Sequence, residues 1–135
     1  MKTIEWSQKY CVGHDRIDHE HQVFFDLIKN VERAELEGYA TERVMRMLEE
    51  VRKYADFHFF SEENIMIDHG YPAYAEHHRE HNLLLFNLED KFYNFRAGKI
   101  PLSDVVEFML EWFLVHTTGT DQKLASYLAR HSPLT

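Results

Sequence analysis

The chain has 135 residues, 44% hydrophobic and 14% aromatic, enough for one domain (1–135) that buries about two-thirds of the surface of its unfolded form and too apolar for a disordered reading. A formal charge of −8, from 15 Lys and Arg against 23 Asp and Glu, repels phosphate backbones and anionic lipid, so neither nucleic acid nor a membrane is an expected partner. Met1 to Trp6 lacks the apolar core of a signal peptide, no stretch approaches about 18 uninterrupted apolar residues, and the single Cys11 forms no internal disulfide, which together predict a cytoplasmic protein.

Only five Gly and three Pro interrupt the chain, and they fall between long periodic segments, which predicts an all-α, up-down-up-down antiparallel four-helix bundle. Residues 1–17 form an irregular arm, with Trp6, Tyr10 and Val12 expected across one end of the bundle. The first helix is predicted over 18–37, with Asp18 as its N-cap and Gly38 as its left-handed terminator. On it, His21 shares a line with Phe24, Ile28 and Val31, while His19 points outward. The second is predicted over 42–69, before Gly70. Its apolar stripe, Val44, Leu48, Val51, Ala55, Ile65 and Met66, is interrupted by His58 and Glu62, which are four apart and project from the same face.

The third helix is predicted over 72–97, with Pro72 in its first turn, where a missing N–H costs nothing. His77 and His81 open an inward line continued by Leu84, Leu85, Leu88 and Phe92. The fourth is predicted over 103–130. Its inward line runs Val105, Met109, Trp112, His116 and resumes as Asp121, Leu124, Ala125 and Leu128. The step from His116 to Asp121 is five residues, about 500° of an ideal helix, which leaves the two side chains about 140° apart. One inserted residue repairs the mismatch, so a π-type bulge is expected within Thr117 to Thr120.

A single His on an apolar face is ordinarily a hydrogen-bonded core residue. Five inward His (His21, His58, His77, His81, His116) and two inward carboxylates (Glu62, Asp121), spread over four helices, are more polar atoms than a core can satisfy, and metal ligation is the natural compensation. The set is too rich in nitrogen for calcium or magnesium, and it has no thiolate for structural zinc. It has more donors than one ion needs, which favours a pair of iron or manganese ions. Because imidazole is neutral, such a shell stabilises high-valent iron less than a carboxylate-rich one, which argues for binding oxygen over breaking it. His14, His19, His69, His78 and His131 are assigned local or solvated roles.

These residues resemble the hemerythrins, most closely the single-domain bacteriohemerythrins, over nearly the whole chain. The resemblance is carried by Trp6 and Val12-Gly13, Ile17-Asp18 with His21, the run HFFSEENIM from His58 to Met66, Tyr71-Pro72 followed by His77 and His81, and Trp112 with His116 and Asp121. It implies two irons joined by an oxo or hydroxo bridge, His77, His81 and His116 on one, His21 and His58 on the other, and Glu62 and Asp121 bridging. It further implies reversible dioxygen binding at the open position of the two-histidine iron, for transport, storage or delivery, in a non-enzymatic protein served by an electron donor or an oxygen-receiving protein. The alternatives are an oxygen or redox sensing module, or an oxidoreductase acting on peroxide or nitric oxide. Trp112, Phe113, Thr117 and Phe59 are expected to line the oxygen pocket. The family often carries W-L-x-x-H-I where this chain reads Trp112-Phe113-Leu114-Val115-His116-Thr117, so a hydroxyl replaces an aliphatic wall, with faster autoxidation as the expected consequence.

Overall fold

The computed structural model describes residues 5–131. Four helical columns pack antiparallel with no strand among the described residues: α1 (Asp15–Glu37), α2 (Thr41–Asp68), α3 (Tyr74–Arg96), and a last column made of α4 (Leu102–Val115), a π turn (His116–Thr120) and α5 (Asp121–His131). Among these residues no helix is long and apolar enough to cross a membrane. Successive columns are joined by turns of a few residues, which holds neighbours antiparallel.

The helix ends follow from local chemistry, and two differ from expectation. The N-cap of α1 is His14, whose Nδ1 accepts the Ile17 N–H at 3.3 Å, so the helix begins three residues before Asp18. Asp18 has another task. Its carboxylate accepts the Val12 N–H at 2.7 Å and the Gly13 N–H at 3.1 Å, tying the arm to the first turn of α1. Pro72 lies in the turn ahead of α3, not in its first turn, and Ala73 stands at the N-cap without a side-chain hydrogen bond. Gly38 ends α1 as anticipated: its φ of 69° is left-handed, and the turn returns its N–H to the Ala34 and Glu35 carbonyls.

Two apolar regions fill the interior. The larger joins Phe24, Phe25, Ile28, Leu48, Val51, Leu88, Val105, Met109 and Phe113, and the smaller joins Ile17, Ile65, Met66, Leu124 and Leu128. Along every column, the inward His and carboxylate residues of the sequence sit between the two. The arm differs from expectation as well, for it runs along the seam of α1 and the last column instead of crossing an end. Trp6 packs edge-on against Phe25 with centroids 5.6 Å apart and also meets Phe113. Further on, Gln122 Nε2 donates to the Cys11 carbonyl and Val12 joins the smaller apolar region.

Asp18→Ala removes the acceptor of two backbone donors, and charge-assisted bonds of this kind are worth about 2 kcal/mol in total once water competes. The variant is expected to melt several degrees below the parent by circular dichroism. Equal melting temperatures would show that the arm is held by its aromatic side chains alone.

Candidate metal centre

His21, His58, Glu62, His77, His81, His116 and Asp121 converge in the layer between the two apolar regions, and none is more than 2% exposed. Their ligand atoms form two overlapping groups: Glu62, His77, His81, His116 and Asp121 in one, His21, His58, Glu62 and Asp121 in the other. Glu62 and Asp121 belong to both.

The division runs through the individual carboxylate oxygens. Glu62 Oε1 lies 2.7 Å from His77 Nε2 and 3.1 Å from His81 Nε2, while its Oε2 lies 3.5 Å from His58 Nε2. Asp121 Oδ1 lies 3.1 Å from both His77 Nε2 and His116 Nε2, while its Oδ2 lies 2.9 Å from His21 Nε2. Each carboxylate therefore turns one oxygen to the group of three histidines and the other to the pair.

Most of these atoms have no hydrogen-bonding partner. The Nε2 atoms of His21, His58, His81 and His116, both oxygens of Glu62 and Asp121 Oδ2 are buried and unsatisfied, His77 Nε2 being the exception through its bond to Asp121 Oδ1. Each such atom costs about 1–3 kcal/mol in a dry interior. Imidazole nitrogens and carboxylate oxygens aimed at common points are what a pair of transition ions coordinates, so the donor set fits the metals that its chemistry implies.

The π turn makes the fourth column contribute twice. Asp121 donates its backbone N–H to the His116 carbonyl five residues earlier, which takes up the extra residue and aims both side chains at one place. The turn spans His116–Thr120, one residue more than the sequence suggests. Thr118 Oγ1 donates to the Leu114 carbonyl at 2.7 Å, satisfying an acceptor beside the break in the ladder.

Sequence reasoning missed a second set of residues. His58 Nδ1–H donates to Glu20 at 2.8 Å, His81 Nδ1–H to Glu63 at 2.8 Å and His116 Nδ1–H to Glu80 at 2.7 Å. These bonds fix the tautomer of each ring and leave Nε2 with its lone pair facing inward. Glu20 and Glu63 are disfavoured as anions by burial, but hydrogen bonds from His58 and Ser61, and from His81 and His78, outweigh it. For Glu80 the His116 bond is the largest influence, and all three carboxyls sit below the ordinary glutamate range. A signal was present in the sequence. Each glutamate adjoins an inward residue of its own helix (His21, Glu62, His81) and holds a histidine of the next column, but only the packing reveals that pairing.

Aromatic rings wall the centre. Phe59 stacks on His81 with centroids 4.1 Å apart and Trp112 on His116 at 5.4 Å, both on the three-histidine side. On the other side, Phe113 stands edge-on to His21 at 5.8 Å and Phe24 to His58 at 6.4 Å. Phe24 is a wall residue that the sequence presented only as core, and Thr117 is buried in the π turn. The remaining histidines act locally. His14 caps α1, His69 and His131 donate to the Ile65 and Tyr127 carbonyls, His78 lies beside Glu63, and His19 is exposed.

Inserting one Ala after Thr118 lengthens the step from His116 to Asp121 from five residues to six, one more than the π turn absorbs, and rotates Asp121 about 100° away from the centre. Helical content is expected to persist while bound metal falls to less than half, measured by circular dichroism and elemental analysis. Full metal retention would refute the role of the bulge. A pH effect is expected as well. In the metal-free protein burial disfavours the charged rings, but Asp121 and Glu62, with Glu80 on His116, overcome it and lift His77 to about 9 and His116 to about 10 from the ordinary 6.5. The folded state then holds protons that the unfolded chain has released. This stabilisation is complete below about 6.5 and is lost as pH rises through about 9 and about 10. The melting temperature of the metal-free protein should therefore drop between pH 7 and pH 10, and a flat profile would contradict the assignment.

Comparison with known proteins bears on the family and the fold. The family model described as the hemerythrin HHE cation binding domain matches residues 12–128. A bacteriohemerythrin of Stenotrophomonas maltophilia (strain R551-3) is 29% identical over 132 residues, spanning 97% of this chain and 85% of that protein. One from Clostridium acetobutylicum is 27% identical over 124 residues, spanning 87% and 95%. The crystal structure of a wild-type hemerythrin superposes with a TM-score of 0.83 at 24% identity over 93% of this chain and 97% of that one, a likeness of fold.

Proposed function

We propose that this chain, which belongs to the hemerythrin HHE cation binding family, binds dioxygen reversibly at two iron ions. The observation that carries the reading is the division of Glu62 and Asp121, each with one oxygen toward His77, His81 and His116 and the other toward His21 and His58. In this assignment the three histidines would hold one iron and the pair the other, with Glu62 and Asp121 offering an oxygen to each. When bound, the iron pair would supply the electrons that dioxygen binding needs.

The protein's own groups set the conditions. Glu20, Glu63 and Glu80 keep the Nε2 lone pairs of His58, His81 and His116 turned inward. The pair offers one histidine fewer than the other group, so an iron held there would have fewer protein ligands, on the side walled by Phe24 and Phe113. A wall of phenyl rings excludes water and offers no proton to a bound oxygen species, which supports binding and release over chemical conversion. In the expected lining, Thr117 is buried and Trp112 carries a buried indole N–H without a hydrogen-bond partner among the described residues.

The test is reconstitution with ferrous iron under an inert atmosphere, followed by metal analysis and exposure to air. The expected result is two irons per chain and a visible charge-transfer absorption that fades on deoxygenation and returns with oxygen over repeated cycles. A spectrum that changes once and does not revert would overturn reversible binding, and a single iron per chain would overturn the paired centre.

A further inference from the structure

Away from the metal centre, α3 carries a second repeating pattern. Among its residues only His77, His81, Leu88 and Phe92 are buried, all on the inward side. On the opposite side, Glu76, Arg79, Leu83, Phe86, Asp90 and Tyr93 follow spacings of three, four, three, four and three, the repeat of a helix-pairing seam. All six are exposed: Leu83 by 59%, Phe86 by 69% and Tyr93 by 67%. Nothing among the described residues covers these apolar side chains, and large exposed apolar groups set at regular intervals mark an interaction surface.

We propose that this seam pairs two copies of the chain, with their α3 helices antiparallel across a two-fold axis between Leu83 and Phe86. In that register Leu83 meets the partner's Phe86, Arg79 meets the partner's Asp90, and Glu76 meets the partner's Tyr93, each contact occurring twice by symmetry. The face is self-complementary in charge. Among the described residues, Asp90 is otherwise engaged by Asn94 of its own helix at 3.4 Å. Of the residues flanking the seam, Ala75, Asn82, Asn87 and Asn94 are uncharged, while Glu80, Glu89 and Arg96 stand at its outer edges. The register is also specified. Centring the axis on Leu83 brings Glu76 against the partner's Asp90, two like charges, and centring it on Phe86 sets Arg79 against the partner's Tyr93 and breaks both ion pairs.

One helix per partner makes a small interface, so a reversible dimer with a dissociation constant of about 10 to 100 µM is expected. Sedimentation equilibrium of the full iron-loaded chain from about 5 µM to about 500 µM should show the mass rising from one chain toward two. The doubly substituted Leu83→Glu/Phe86→Glu chain should stay monomeric throughout, with unchanged helical content and iron. Arg79→Asp places like charges at two symmetric contacts and should weaken pairing about tenfold, while Arg79→Asp combined with Asp90→Arg should restore it to within about threefold. Three results overturn the proposal: a monomer at every concentration, a dimer unaffected by Leu83→Glu/Phe86→Glu, or a double charge swap that pairs no better than Arg79→Asp alone.

Discussion

The whole structure turns on two carboxylates that are completely buried. Glu62 and Asp121 are each 0% exposed, and a dry interior tolerates ionised groups only where opposite charge surrounds them. Asp121 lies far below the ordinary aspartate range: burial opposes its charge, and His116, His21 and His77 overcome that opposition. Every other feature of the interior serves this pair. Histidines from four columns point at it, and apolar side chains close it off from both ends.

Helical geometry determines which residues can take part. His58 and Glu62, like His77 and His81, are four residues apart and reach the centre from undistorted helices. The last column must supply His116 and Asp121 across five, which a regular α-helix cannot do. The π turn therefore separates α4 from α5 at the height of the centre, and the break in the ladder is where the column does its chemistry. Thr118 and Thr120 stabilise the region with side-chain hydrogen bonds, the latter to Glu80.

The three glutamates join local folding to the centre. Glu20 on α1 holds His58 of α2, Glu63 on α2 holds His81 of α3, and Glu80 on α3 holds His116 of the last column. Each bond links two neighbouring helices and orients a ring, so packing of the bundle and readiness of the centre are one event. His21 and His77 have no such partner on Nδ1 among the described residues. Their rings are placed by Asp121, which faces both at Nε2, and by contact, His21 against Phe113 and His58, His77 against His81 and His116.

Periodicity by itself determined the number of helical columns, the inward seven and the distortion near Thr117, because those follow from a repeat of 3.6 residues and from the cost of burying charge, both local properties of the chain. The resemblance carried by HFFSEENIM and its companions pointed to the family. Capping was harder to read. Asp18 looks like an N-cap and is a tether, because His14, a weaker capping residue, reaches the Ile17 N–H first, and the choice depends on where the arm lies. Only the tertiary structure decided the partners of Glu20, Glu63 and Glu80 and the allotment of each carboxylate oxygen. Those depend on the rotation and height of one helix against its neighbour, and contacts between residues 18, 36, 38 and 44 positions apart leave no periodic trace in the sequence.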